Sequence, residues 1–186
     1  MNKYNYLKPY YNKTRPFRNH FFKLSAKEIR EGEEILGQIF PSQLKEFYIE
    51  IGEGFLVCPH HLKHNKSYVF SGTNRILWPT VAASFYQKII EYHSNTGEKW
   101  EEPVECEGYY MAIDTVEMAQ PGDLPFFEIG ESSSFMVMKL NSDNPNAVWS
   151  DCGVKIEDSF ERFIYRLYYE SPAFYGDIIE DYYSNK

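Results

Sequence analysis

The residues best suited to metal chemistry lie in one short polar stretch. They are Cys58, His60, His61 and His64. Thiolate and imidazole are the ligands that zinc prefers, and a closed zinc site needs four ligands. His60 and His61 are adjacent, however, and in an extended segment their side chains would point in opposite directions. We therefore expect a polar loop whose histidines face water, with no metal site and no cofactor.

Paired carboxylates occur at three places and suggest hydrolytic chemistry. The pairs are Glu101 with Glu102, Glu157 with Asp158, and Glu180 with Asp181. General acid–base catalysis needs carboxyls whose pKa values are driven apart inside a cleft, and nothing in the sequence places a pair in one. The chain also lacks the Gly-x-Ser-x-Gly motif of nucleophilic serines and the glycine-rich loops that hold phosphates. We therefore expect no catalytic residue and a protein that is not an enzyme.

An acidic loop over residues 98 to 107 is the strongest candidate for partner binding. Its candidate side chains are Trp100, Glu101, Glu102, Glu105 and Glu107. Carboxylates can mimic nucleic-acid phosphates toward a basic protein, and tryptophan is a typical anchor of binding hot spots. Asp143 and Asp151, in neighbouring turns, would extend this acidic patch if the sheet brings them close. The alternative is a solvated loop whose tryptophan packs into the core.

The charge is distributed unevenly along the 186 residues. The net charge is −8, but residues 1 to 30 carry eight Lys and Arg side chains and one Glu, which leaves −15 on the rest. A field that acidic repels nucleic acid and speeds association with basic protein partners at low salt. The alternative is that the acidity only keeps the protein soluble.

Composition favours one aromatic-rich globular domain in the cytoplasm. The chain contains 16 Tyr, 14 Phe and 3 Trp, enough to build a core from rings. No apolar run approaches the roughly 20 residues that span a bilayer, and the first residues lack the apolar core of a signal peptide. Cys58, Cys106 and Cys152 are odd in number and far apart, which indicates reduced thiols.

Two helices with clear ends begin at Ser25. Ser25 and Glu28 have the spacing of a capping box, and the helix that they start runs to about Gly37. Pro41 suits the first position of a second helix, and Gly52 can end that helix in the left-handed conformation. The second helix has one apolar face, made of Leu44, Phe47, Tyr48 and Ile51.

Further patterns predict three helices and an antiparallel sheet. Helices are expected from Pro79 to Tyr92, from Asp158 to Ser171, where Asp158 and Glu161 form a second capping box, and from Asp177 to Tyr183. The predicted strands are Phe55–Cys58, Ser67–Phe70, Tyr109–Ile113, Leu124–Ile129, Phe135–Leu140 and Ala147–Ser150. Because helices and strands do not alternate, the fold class is α+β, with about five to six antiparallel strands and helices packed around them.

Residues 1 to 24 are predicted to form a basic, aromatic arm before a single domain of residues 25 to 186. Pro9 and Pro16 favour an extended chain whose rings pack against the body. Such an arm can bind single-stranded nucleic acid by stacking. The acidic body opposes that use, so we expect the arm to lie on the body instead.

Eight short motifs occur in an order seen in a known family. They are Glu34-x-Leu36-Gly37, Phe40-Pro41, Phe47-Tyr48 with Leu44 before it, Gly52-Glu53-Gly54, Pro125-Phe126-Phe127, Ile129-Gly130, Val148-Trp149 and Ile156-x-Asp158-Ser159-Phe160-x-x-Phe163. This order resembles the SUKH superfamily, a group of cell-wall-assembly regulators and bacterial toxin-immunity proteins. The family often has Asn-Gly-Gly where this chain has Gly52-Glu53-Gly54.

The resemblance implies a SUKH-like fold and a binding protein without catalysis. Its bacterial members include immunity proteins that bind and neutralise a cognate toxin, often a nuclease, inside the cell that makes it. The motif positions are core and turn residues, so the resemblance supplies no catalytic residue. The alternative that it implies is a cytosolic regulatory scaffold that binds an endogenous protein.

Overall fold

A computed structural model describes residues 3–11, 19–56, 74–95, 100–130, 134–171 and 174–185. The predicted strand Ser67–Phe70, Cys58 and the three histidines that follow it lie outside these ranges. Within them, no helix is long and apolar enough to cross a membrane.

The described ranges contain six α-helices and nine β-strands. The helices are α1 (Ala26–Leu36), α2 (Ser42–Glu50), α3 (Pro79–Ser94), α4 (Ile113–Met118), α5 (Phe160–Tyr169) and α6 (Phe174–Ser184). The strands are β1 (His20–Phe22), β2 (Glu53–Phe55), β3 (Arg75–Ile76), β4 (Val104–Cys106), β5 (Tyr109–Met111), β6 (Asp123–Ile129), β7 (Ser134–Lys139), β8 (Val148–Ser150) and β9 (Lys155–Glu157). A short 3-10 helix, Lys8–Tyr10, precedes them.

Seven of these strands form one sheet in the order β1-β2-β3-β6-β7-β8-β9, and β4 and β5 form a separate hairpin. Every neighbouring pair of named strands is antiparallel. The α+β class with an antiparallel sheet is therefore confirmed, with more strands than the five to six predicted. Strands β1 and β9 have three residues each, which is too short for an alternating pattern to be recognised.

Helices cover both faces of the sheet. Glu128 of β6 pairs with Phe135 of β7, so the neighbouring Phe127 points to the opposite face from Phe135. The Phe163 ring of α5 lies 5.2 Å from that of Phe127, and the Phe85 ring of α3 lies 5.5 Å from that of Phe135. The core therefore lies in two layers, one on each side of β6 and β7.

The predicted start of α1 is confirmed in detail. The Glu28 backbone N–H donates to the Ser25 hydroxyl at 3.2 Å, and the Ser25 backbone N–H donates to the Glu28 carboxylate at 2.6 Å. Pro41 precedes α2 as its N-cap and is not its first residue. Gly52 has a φ of 108°, and a Cβ there would lie 1.8 Å from the carbonyl oxygen of Phe22. A glycine at this position lets β1 approach the end of α2.

The predicted cap of α5 is wrong by one residue. Ser159, not Asp158, is the N-cap, and its hydroxyl accepts from the Arg162 backbone N–H at 3.2 Å. The helix begins at Phe160, so Asp158 lies outside the capping position, where it pairs with Lys155. A serine next to an aspartate offers two equally good caps, and tertiary packing selects between them.

The first described residues, from residue 3 onward, pack into the body. Tyr4 and Leu7 are fully buried, where the sequence predicted an extended arm. Lys3 forms ion pairs with Glu46 at 3.1 Å and with Glu161 at 3.2 Å. The basic segment therefore lies on acidic residues of the body at this point.

The structure differs from the prediction between residues 104 and 118. The predicted strand Tyr109–Ile113 ends at Met111, and α4 follows at once. Residues 104 to 106, predicted as loop, form β4. Alternation in this stretch is limited to three residues, so the pattern gave no strand signal.

Gly32 provides a test of the contact between α1 and α3. A Cβ at Gly32 would lie 2.6 Å from the Cβ of Pro79 and 2.8 Å from its carbonyl carbon. We expect Gly32→Ala to destabilise the protein by about 1–3 kcal/mol in urea unfolding, although alanine favours helices. Gly176→Ala in α6 is the control, because nothing lies within 4 Å of a Cβ there. Equal stability of the two variants would contradict this close packing.

Candidate protein-binding site

The acidic segment is built around the β4–β5 hairpin. Glu107 and Gly108 form its two-residue turn with φ values of 52° and 79°, the signs of a type I′ turn. Val104 and Cys106 are buried, and Glu105 between them is exposed. The period of two therefore turns the Glu105 carboxylate to the side away from the core.

An open groove lies between this hairpin and α3. Its volume is about 450 Å³. Its charged and aromatic lining residues are Lys88, Glu91, Trp100, Glu101, Glu102 and Glu105. Four carboxylates and one ammonium group therefore line the same depression. Four of the residues named from the sequence, Trp100, Glu101, Glu102 and Glu105, are brought together here.

Trp100 forms part of the groove wall. Its side chain is half-buried, and its ring meets the edge of the Tyr92 ring at a centroid distance of 5.3 Å. The Lys88 ammonium nitrogen lies 5.8 Å from the Trp100 ring centre and 2.7 Å from the Glu91 carboxylate. The tryptophan is thus anchored on α3 with part of its surface open to solvent.

Glu107 and Asp143 occupy different places on the surface. Glu107 is exposed at the hairpin turn and accepts a hydrogen bond from the Thr80 hydroxyl at 3.2 Å. Asp143 is exposed in the turn after β7, whose residue Asn146 accepts from the Gln43 backbone N–H at 3.0 Å. This turn therefore packs against the start of α2, and Asp143 does not line the groove.

Asp151 is a buried structural acceptor. It is 7% exposed, and it accepts hydrogen bonds from the backbone N–H groups of Phe135 at 3.1 Å and Cys152 at 2.9 Å. Burial raises the pKa of its carboxyl, against the effect of these hydrogen bonds. Asp151 therefore does not belong to an exposed acidic patch.

A second polar cluster, which the sequence did not reveal, is centred on Arg75. Its guanidinium carbon lies 4.2 Å from the ring centre of Tyr109 and 4.9 Å from that of Phe55. A carboxylate oxygen of Glu53 lies 3.7 Å from its Nη2. We call Glu53, Phe55, Arg75 and Tyr109 the Arg75 cluster. No sequence signal marks it, because its members come from three separate segments.

Burial shifts the pKa values of the titratable groups in and around the Arg75 cluster. Glu53 is 1% exposed, and burial raises its pKa to about 7, although Arg75 opposes the shift. His20, across β2 from Arg75, has its pKa lowered by burial and by the Arg75 charge. Burial also raises the pKa of Glu128, which pairs with Arg75 across β3 and β6.

In the described part of the chain, no group of three or more His, Cys, Asp or Glu side chains is placed to hold a metal ion. Cys106 and Cys152 are free thiols. Cys106 is buried in β4, and Cys152 is half-buried in the turn after β8.

Comparison with known proteins finds a similar immunity protein. Over 163 residues, the chain is 29% identical to the immunity protein YxxD of Bacillus subtilis (strain 168). The match covers 88% of this chain and 92% of the relative. No family model matches the chain, and no solved structure matches it. The similarity therefore extends over nearly the full length of both proteins.

Glu53→Gln tests the burial of this carboxyl. Because the folded-state pKa of about 7 lies above the ordinary 4.5, Glu53 binds its proton more tightly when folded. Its contribution to stability is full below about pH 4.5 and is lost as the pH rises through 7. As the pH rises from 4.5 to 8, we expect the free energy of unfolding of Glu53→Gln to increase by roughly 2–3 kcal/mol relative to that of wild type, measured by urea unfolding. Parallel stability profiles of the two proteins would contradict this prediction.

Proposed function

We propose that the protein is an immunity protein that binds a cognate protein toxin and neutralises it in the cytoplasm. The observation that carries this proposal is the similarity to an immunity protein over 88% of the chain. The resemblance of the motif order to the SUKH superfamily supports the same function. The protein acts by occupying a surface of the toxin and needs no catalytic residue of its own.

We propose that the toxin binds at the groove and the β4–β5 hairpin. Glu101, Glu102 and Glu105 are exposed there, and Trp100 provides an aromatic surface beside them. An arginine or lysine of the toxin can replace Lys88 over the Trp100 ring, where it gains both a cation–π contact and carboxylate partners. The fitting partner is therefore a basic protein surface.

A nuclease is the toxin class that this surface fits best. Nucleases bind phosphates with Lys and Arg side chains, and a row of carboxylates offers those side chains a competing ligand. The body of the chain, with a net charge of −15 after residue 30, would also speed association with such a surface. Neutralisation then follows from covering the substrate-binding surface.

Co-expression tests the function directly. Immunity genes are expected beside the genes of their toxins, so the product of the neighbouring gene is expressed with and without this protein. We expect growth arrest without it, growth with it, and a complex that co-purifies. A neighbour that is harmless, or whose toxicity is unchanged, would overturn the proposal.

Charge reversal tests the surface. We expect Glu101→Lys with Glu102→Lys to weaken toxin binding by about tenfold or more at low salt, because two attractive charges become repulsive. The salt dependence of the affinity, measured by calorimetry at two ionic strengths, should become flatter. The matched control is Glu180→Lys with Asp181→Lys, which makes the same change in net charge at exposed positions of α6. Equal effects of the two pairs would show that only net charge matters and would exclude the groove.

A further inference from the structure

Two different contacts hold the β4–β5 hairpin to the rest of the protein. Val104, Cys106 and Met111 are buried in the common core, and β4 packs against α3. Such apolar contacts are strong but non-directional. Beside the turn, opposite the buried Cys106, the Tyr109 ring lies on the guanidinium of Arg75 at 4.2 Å.

Hydrogen bonds contribute little to holding the turn end. Between the described residues, the solvent-exposed bond from Thr80 to Glu107 is the one that joins the hairpin to another element. The Tyr109 hydroxyl and the Arg75 Nε are both buried, and neither has a hydrogen-bond partner among the residues that the structure describes. The position of Tyr109 therefore depends on ring stacking and not on its hydroxyl group.

Residues of β2 also contact the guanidinium. Arg75 pairs with Phe55 across β2 and β3, and the Phe55 ring lies 4.9 Å from the guanidinium carbon. Glu53, two residues earlier on the same face of β2, lies 3.7 Å from Nη2. Strand pairing thus places Glu53, Phe55 and Arg75 on one face of the sheet, where the hairpin packs on the guanidinium.

We propose that Arg75 is a positioning residue for partner binding, because its guanidinium, in contact with the rings of Phe55 and Tyr109, fixes the turn end of the acidic hairpin. The consequence for binding rests on the proposed function, but the consequence for the hairpin does not. Since Cys106 pairs with Tyr109, fixing Tyr109 also fixes the neighbouring Glu105 and Glu107 carboxylates. The partner then meets a preformed acidic surface whose ordering cost has been met in folding.

The planar guanidinium is essential to this arrangement. A lysine at position 75 would keep the charge but would lose the flat surface that two rings cover. The Tyr109 hydroxyl, which has no hydrogen-bond partner in the described part of the chain, is dispensable, whereas the ring is not. Arg75→Lys should therefore loosen the hairpin, whereas Tyr109→Phe should not.

Hydrogen exchange of the full chain without any partner tests the hairpin directly. We expect Tyr109→Leu to speed amide exchange in Val104–Met111 by about tenfold, with exchange in α3 unchanged, because the stacking on Arg75 is lost. Tyr109→Phe should exchange like wild type. Arg75→Lys should behave like Tyr109→Leu. Arg75→Met combined with Glu53→Gln should do so too, without leaving a buried carboxylate unpaired.

Lys139→Met is the matched control. The Lys139 ammonium lies 4.6 Å from the ring centre of Trp149, so this variant removes the same kind of contact from β7 and β8. It should leave exchange in the hairpin unchanged. Unchanged hairpin exchange in Tyr109→Leu, or equally fast exchange in Tyr109→Phe, would overturn the proposal.

The affinity for the toxin separates this proposal from the proposed function. With the product of the neighbouring gene as the probe, Tyr109→Leu should weaken binding about tenfold and Tyr109→Phe should not. Faster hairpin exchange with unchanged affinity would keep Arg75 as the residue that fixes the hairpin, but would overturn its role in binding. Absence of any wild-type complex would overturn the proposed function, while the exchange data still decide the role of Arg75 in the hairpin.

Discussion

The pairing of β6 with β7 is the contact on which the other elements depend. These are the two longest strands, and they carry phenylalanines on both faces. Phe127 receives α5 on one face, and Phe135 receives α3 on the other. Both faces carry apolar side chains that must be covered. The covering helices come from opposite sides of the strand pair in the chain, α3 before β6 and α5 after β7. The shorter strands then extend the sheet from either edge of this pair.

The acidic hairpin and the groove beside it lie at the periphery of this frame. The acidic hairpin is not part of the main sheet, and it contacts the frame through the apolar side of β4 and through the Arg75 cluster. A peripheral hairpin can present charged side chains on its outer face without placing them in the core. The same arrangement lets the surface vary while β6 and β7 keep the fold.

Electrostatics divide the acidic residues into two groups. Glu101, Glu102 and Glu105 are exposed, where they can attract a basic partner over several ångströms. Glu53 and Asp151 are buried, where burial raises their pKa values and their role is local. Net charge alone does not separate these groups, since it counts buried and exposed carboxylates alike, whereas a basic partner meets only the exposed ones.

The sequence by itself determined the features that depend on neighbouring residues. The Ser25–Glu28 capping box, helix α3 and the strands near 124–129 and 135–140 all follow from side chains within a few positions of one another. Only the tertiary structure decided that Asp151 is buried, that Ser159 caps α5, and that Arg75 meets Tyr109. These outcomes depend on which distant segment packs over each residue, and no local pattern contains that information.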